Sequence, residues 1–414
     1  MDIDQLLMEL AQQRGSDLHL KTGRPPLFRI SGDLIPQTTY PEISAEDMKN
    51  TMGRLMGPER MRIFTQELEA DFSYEIPAVG RYRVNAFIQR GQIGAVLRFV
   101  PLTVPTLDEM GLPDVLKDVC EHPNGLVIVT GPTGSGKSTT LAAMVQHMNQ
   151  KFQNHIITIE DPVEFVYTDE ICAINQRELG LDTHELHRAL RAALRQDPDT
   201  ILMGEMRDAE TIHFAITAAE TGHLVFSTLH TNDAKQSLDR ILDTFEGPEA
   251  KQVRMQLALV LRGVISQRLV KRADGQGRVA AIEIMLNTSY IKQLIEEGST
   301  RDLEKAILEG AHHKMQTFNQ ALYALWSKGI ITEDEAKAAS SSPEDLQLMM
   351  RGIKRGTSAD EVLNPPGGVG ATGAFKPTQT LTARAGGAPG GVIGGGGPPA
   401  AGGEKKKPSR GFEF

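Results

Sequence analysis

The segment Gly131-Pro132-Thr133-Gly134-Ser135-Gly136-Lys137-Ser138 constrains this chain more than any other stretch. It follows the pattern G-x-x-x-x-G-K-[ST] and lies between an apolar run at 126–130 and a helical pattern at 139–149. Such a loop has to join a buried strand to the start of a helix. Glycines let the backbone wrap closely around phosphate oxygens and take positive φ angles. The loop N–H groups and the terminus of the following helix then face an anion. Lys137 can reach the β and γ phosphates of a nucleotide, the Ser138 hydroxyl can coordinate Mg²⁺, and Thr139 completes the loop's contact set. ATP and Mg²⁺ are therefore the expected ligands. The bland alternative is a chance glycine-rich turn before a helix, and it does not account for strand, loop and helix falling in order.

From residue 112 to about 350, short β-rich runs alternate with helical patterns, the runs being 126–130, 156–160, 200–203 and 224–228. That alternation predicts an α/β domain with a mostly parallel sheet and helices on both faces. The first 100 residues read as a smaller α+β unit. Ile3, Leu6, Leu7 and Leu10 recur at helical spacing, and Asp17-Leu18-His19-Leu20 begins an alternating strand. Residues 45–69 read as one or two helices with a stripe of Met48, Met52, Leu55 and Met56. Two strand-like stretches, 82–89 and 95–100, are joined by Arg90-Gly91-Gln92 as a hairpin turn. Pro101 and Pro105 then punctuate the chain, since neither can donate to a ladder. The expected division is an α+β domain over 1–100, a linker over 101–112, an ATPase domain with C-terminal helices over 113–363, and a tail over 364–414. The tail holds 15 glycines and 7 prolines and cannot bury enough apolar surface to offset the entropy of ordering, so disorder is expected there.

A net charge of −9 lowers the expectation of a nucleic-acid partner, which would need a clustered excess of Lys and Arg. Cys120 and Cys172 are the only cysteines, too few for a tetracysteine zinc site. The opening residues carry acids where a signal peptide carries bases. No apolar run approaches the roughly 20 residues needed to span a bilayer. A cytoplasmic chain without direct membrane insertion is expected, reaching the membrane only through a partner.

Acidic groups follow two of the predicted strands. The run at 156–159 leads into Glu160-Asp161-Pro162-Val163-Glu164, and the run at 200–203 leads into Gly204-Glu205-Met206-Arg207-Asp208. In a parallel sheet both sets lie at the carboxyl edge beside the phosphate loop. One carboxylate can hold Mg²⁺ through water, and another can orient or deprotonate the attacking water. Glu205, after an apolar strand and a glycine, is the candidate for activating water and a candidate for the metal beside Ser138; its alternative role is a helix cap. Glu160 and Glu164 are further candidates, against a reading as solvated loop acids, and Asp161 before Pro162 can shape the turn. His230 ends a third strand at the same edge, where its ring could sense the γ phosphate or the subunit boundary. His223 is weaker, and His312-His313 reads as surface. Arg81, Arg83, Arg90 and Arg98 lie on or between the strands of the first unit. Arg83 and Arg98 should share a polar face, from which guanidinium groups can clamp a phosphate; an exposed face with ordinary salt bridges is the alternative.

Taken together, the sequence resembles the type II/IV secretion ATPase superfamily, within it the PilT-like retraction motors of type IV pili. Four motifs carry the resemblance in order: the Walker A loop at 131–138, the Asp box ITIEDPVEF at 157–165, the Walker B segment DTILMGEMRD at 199–208, and the His box GHLVFSTLHTND at 222–233. GRYRVNAFIQRG at 80–91 resembles the family's arginine-bearing strands. The resemblance implies a PAS-like N-terminal domain joined to a RecA-like ATPase domain, in a homo-hexameric ring at the base of the pilus. It implies that Arg83 and Arg98 help complete the nucleotide site, and that ATP turnover returns pilin to the inner membrane through a polytopic platform protein. A paralogous pilus ATPase is a further partner it suggests. Extension and secretion motors resemble longer chains with an extra N-terminal region and a tetracysteine module. The segment Tyr290-Ile291-Lys292-Gln293-Leu294-Ile295-Glu296-Glu297 keeps the apolar spacing of the family's AIRNLIRE-like helix but loses basic residues, which leaves an accessory PilU-like motor open. A nucleic-acid translocase and a nucleotide-binding assembly module are the competing classes.

Overall fold

The computed structural model describes residues 2–353, apart from Ser31, Ala78, Pro101 and Leu102. Part of the expected linker and the whole glycine- and proline-rich tail lie outside the described residues. Two sheets organise the rest. The first comprises β1 (Asp17–Lys21), β2 (Leu27–Ile30), β3 (Asp33–Pro36), β4 (Glu69–Ile76), β5 (Gly80–Gln89) and β6 (Gln92–Val100), in the order β3-β2-β1-β6-β5-β4. Every neighbouring pair in it is antiparallel. The helix Ile3–Gln12 lays Ile3, Leu6, Leu7 and Leu10 on this sheet, as their spacing predicts, and the Tyr82 hydroxyl donates to the Leu7 carbonyl at 2.7 Å. The helical pattern at 45–69 becomes Ala45–Glu67, broken at Gly57 (φ 70°) before Pro58, whose ring cannot donate to the preceding turn. The hairpin turn is tighter than expected. Gln89 pairs with Gln92, so only Arg90 (φ 50°) and Gly91 (φ 73°) lie in the loop, and two positive φ values match the twist of the flanking strands.

The second sheet comprises β7 (Gly125–Thr130), β8 (His155–Glu160), β9 (Ala173–Glu178), β10 (Thr200–Glu205), β11 (Leu224–Leu229), β12 (Leu261–Lys271) and β13 (Arg278–Leu286). Its order is β13-β12-β7-β11-β10-β8-β9, parallel throughout except for the β12–β13 pair. β7 lies inside the sheet, between β12 and β11, and is buried along its whole length. Successive residues of a strand face opposite ways, and β7 shows this directly. Leu126 and Ile128 join the core under the helices Leu186–Ala193, Ala209–Glu220, Ala234–Leu242 and Gly247–Val260, while Val127 and Val129 join the core under Val115–Cys120 and Lys137–Lys151. The helix Ser289–Glu297 buries Ile291, Leu294 and Ile295, the apolar spacing read at 290–297.

The α/β class, the small α+β unit and the mostly parallel second sheet match the expectation. The described residues all fall in one compact unit. Cys120 and Cys172 are free and buried, and His312 and His313 are exposed.

Between β1 and β6, the buried Asp17 accepts from Arg98 Nε at 2.8 Å and from Ser16 Oγ at 2.7 Å. Burial alone would push its carboxyl up, but those bonds and the Arg98 charge outweigh it and hold the group below its ordinary 3.8. A depressed folded value contributes stability that is complete above the unfolded value and lost as pH falls through the folded one. Asp17→Asn should therefore lower the melting temperature at pH 7, and the deficit should shrink as pH falls through the folded-state value, followed by thermal unfolding across pH. An equal deficit at every pH would mean that packing, not charge, sets the effect.

Candidate active site

Because β7, β8, β10 and β11 run parallel, the residues following their carboxyl ends gather along one edge of the sheet. β7 ends at Thr130 and passes directly into the phosphate loop. Gly131, Gly134 and Gly136 take φ values of 144°, 77° and 91°. A Cβ on Gly131 would stand 2.4 Å from the Gln267 carbonyl and 2.5 Å from Ser135 Oγ, so nothing larger than glycine fits. The helix Lys137–Lys151 begins at once, with Gly136 as its N-cap. Lys137 is buried, and its Nζ donates to the carbonyls of Gly131 at 2.8 Å and Pro132 at 3.3 Å. Burial lowers the pKa of this amine, and the charges of Glu205 and Glu164 work against that shift.

Glu205 closes β10. The β10–β11 register slips by one residue between Leu202 and Glu205, so that Glu205 comes opposite Thr228. A bulge of this kind re-aims a side chain at a strand end. Both Ser227 and Thr228 donate to the Gly204 carbonyl, at 3.3 and 3.1 Å, and secure the bulge. Glu205 Oε2 takes Arg207 Nε at 2.7 Å and lies 3.4 Å from His230 Nε2. The other ring nitrogen of His230 stands 3.5 Å from both Lys137 Nζ and Thr133 Oγ1. His230 thus bridges the loop lysine and the Walker B carboxylate, at separations a bound anion could tighten. His223 instead sits against the Ala218 carbonyl at 2.9 Å.

Glu160 ends β8. Its Oε1 accepts from Thr158 Oγ1 at 2.7 Å and Gln176 Nε2 at 3.2 Å. Burial pushes its carboxyl up, and these bonds to the charged form pull partly back. Glu164 is half exposed, with Arg83 Nη1 at 3.8 Å, beyond a cis Asp161–Pro162 peptide.

Arg83 and Arg98 face each other across β5 and β6, as their parity with Val84 and Leu97 predicts. Each is held by a carboxylate, Arg83 by Glu164 and Arg98 by Asp17. Among the described residues no hydrogen bond or ion pair joins either to the loop at 131–138. Both line a cavity of about 620 Å³ that also takes in Asp161 and Glu178. Arg81 carries the stronger link between the two sheets, and it was not singled out by sequence. Its Nη2 lies 2.5 Å from Glu178 Oε2 and 2.8 Å from Ser73 Oγ, and the Glu178 side chain, only 5% exposed, also accepts from Val163 N. The signal was present, because Arg81 shares its strand face with Arg83, but its carboxylate partner lies 97 residues away. Gln267, a buried amide against the loop, carried no motif at all.

Ser138, the second residue of the helix behind the loop, is partly exposed. A single hydroxyl suits an ion that takes its remaining oxygen ligands from phosphates and water, as Mg²⁺ does.

A glycine-rich loop that joins an interior parallel strand to a helix, with carboxylates and a histidine at neighbouring strand ends, defines a P-loop nucleotide-binding protein. The chain belongs to the type II/IV secretion system protein family, whose sequence profile matches residues 1–337. Among its relatives, the type IV pilus retraction ATPase PilT of Pseudomonas aeruginosa is 48% identical over 346 residues, covering 84% of this chain and 100% of that protein. The type IV pilus ATPase PilU of the same organism is 42% identical over 360 residues, 87% of this chain and 93% of PilU. The crystal structure of the pilus retraction motor PilT with bound ADP superposes with a TM-score of 0.78 at 43% identity, over 84% of this chain and 99% of that one. No helix among the described residues is long and apolar enough to cross a membrane.

Arg81→Met would strand the Glu178 carboxylate in the interior. The expected loss is about 3 kcal/mol, at the low end for a buried pair because the Arg81 side chain is 16% exposed. Adding Glu178→Gln should recover part of it, read from urea unfolding of the single and double variants. A single variant as stable as the native chain would show that the pair contributes nothing net.

Proposed function

We propose that this chain is an ATP hydrolase that powers retraction of type IV pili, working as a ring of six copies. The observation that supports the reading is the line of side chains from Lys137 through His230 to Glu205, an ammonium, a ring and a carboxylate along one edge of the sheet. Residues Gly131, Pro132, Thr133, Gly134, Ser135, Gly136, Lys137, Ser138 and Thr139 hold the nucleotide phosphates through backbone N–H groups, the Lys137 ammonium and the hydroxyls. Ser138 and, through water, Glu205 would hold Mg²⁺, which would supply positive charge against the phosphate oxygens. Glu205 accepts a proton from the water that attacks the γ phosphorus, the bond from that phosphorus to the β,γ-bridging oxygen breaks, and ADP and phosphate result. His230 reports the state of the γ phosphate to the β11 edge. Glu160 and Glu164 orient the water, while Arg83 and Arg98 complete the charge around the phosphate as the parts of the motor move.

In this reading residues 1–100 form a PAS-like domain, 101–112 a linker and 113–363 the RecA-like ATPase domain. The chain acts in the cytoplasm, meeting the inner membrane through a polytopic platform protein. The 48% identity to a PilT supports the main retraction motor. A helix Ser289–Glu297 that ends in two acids supports a second reading, the accessory motor beside a paralogous ATPase.

Glu205→Gln should bind ATP as the native chain does and lose at least about a hundredfold in turnover. In cells of the source organism, deletion of the gene should leave excess, static pili that the intact gene rescues and the Glu205→Gln gene does not. Normal hydrolysis by the variant would sink the role of Glu205, and cells lacking pili altogether would indicate extension. The hydrogen bond from Thr158 favours the ionised form of Glu160. Thr158→Val should therefore raise the Glu160 pKa and move the acid limb of the kcat–pH profile to higher pH. An unmoved limb would remove Glu160 from the titrating machinery.

A further inference from the structure

Gln267 lies on β12, one residue beyond the last β12–β7 pair, Ser266 with Thr130, and so level with the start of the phosphate loop. It is only 1% exposed. A primary amide buried that deeply has to find partners for its N–H groups and its oxygen. Gln267 finds one on the loop and the other on the helix that follows it. Its Nε2 donates to the Ser135 carbonyl at 2.8 Å, and its Oε1 accepts from Thr140 Oγ1 at 2.7 Å. Ser135 and Thr140 bracket Gly136, Lys137, Ser138 and Thr139, so one planar group pins both ends of the phosphate-binding stretch. Its neighbours turn away: Ser266 donates to Glu283, and Arg268 lies over the Phe318 ring and donates to the Ala339 carbonyl. The loop is shaped around this residue, since a Cβ on Gly136 would stand 2.7 Å from Gln267 Nε2.

The contact with Ser135 has a consequence for the anion. In a planar trans peptide the C=O and the N–H point in opposite directions. With the Ser135 carbonyl turned toward β12, the N–H of Gly136 points away from that strand. We infer that Gln267 is a positioning residue for the phosphate loop: by holding the Ser135 carbonyl it aims the Gly136 N–H at a bound phosphate, and by holding Thr140 it fixes the helix that carries Lys137 and Ser138. The inference rests on the nucleotide-hydrolase reading above and adds a residue that none of the four motifs contains.

The test compares ADP affinity and ATP turnover for the full chain and for Gln267→Met, Gln267→Glu and Thr140→Val. Methionine keeps the volume and removes the donor, so the ADP Kd and the KM for ATP should each rise roughly tenfold while kcat changes less. Glutamate sets an acceptor against the Ser135 carbonyl and should be worse than methionine at pH 8. Its affinity should then recover as pH falls and the carboxyl gains a proton to donate; neither the native chain nor Gln267→Met should show that recovery. Thr140→Val leaves the amide in place and loosens only its second anchor, with a smaller rise of about threefold, which keeps the test alive if the Gln267 variants fold poorly. A folded Gln267→Met chain with native ADP affinity overturns the positioning role, as does a Gln267→Glu chain no weaker than Gln267→Met at any pH. A native chain that binds no ADP overturns the hydrolase reading as well, so the two failures are told apart.

Discussion

The parallel pairing of β7 with β11 on one side and β12 on the other is the constraint on which the second sheet and its edge depend. A strand in that position has both faces covered and both backbone edges occupied, so its six residues cannot shift without breaking two ladders. The loop therefore leaves the sheet from a fixed point and in a fixed direction. β11 brings His230 to it from one side and β12 brings Gln267 from the other. The bulge in β10 supplies the last adjustment, since a regular register would turn Glu205 by one residue relative to its neighbours.

The first sheet meets this edge through arginines. Arg81 reaches Glu178 at the end of β9, and Glu178 in turn takes the N–H of Val163 in the turn that follows Glu160. The carboxylate therefore ties the outermost strand of one sheet, the acidic turn and the antiparallel sheet together. Arg83 and Arg98 stand on the same face of the first sheet but are held by weaker or more local partners.

Much of this was legible in the residues. The four apolar runs became β7, β8, β10 and β11 because parallel strands buried on both faces read as continuous apolar segments. Strand parity puts Arg83 and Arg98 on one face, and the loop pattern puts Lys137 and Ser138 at the start of the helix. β12 and β13 were not read, because Ser266, Gln267 and Arg268 interrupt the apolar run with side chains that are satisfied only by distant partners. β2, β3 and β9 are short and carry mixed polarity. For the same reason Gln267 and the Arg81–Glu178 pair were invisible: their meaning lies in contacts across roughly a hundred residues of chain, and no local spacing encodes those.

The Lys137 ammonium, folded onto the carbonyls of Gly131 and Pro132, has a consequence for ligand exchange. The cation has already left water when the chain folds, and two neutral dipoles stand in for its hydration shell. An arriving phosphate need not strip solvent from the charge; it only has to displace those carbonyls with a full negative charge, a trade of weak acceptors for a strong one. The loop thus carries its own neutral acceptors for its lysine, so the buried cation is solvated by the fold itself.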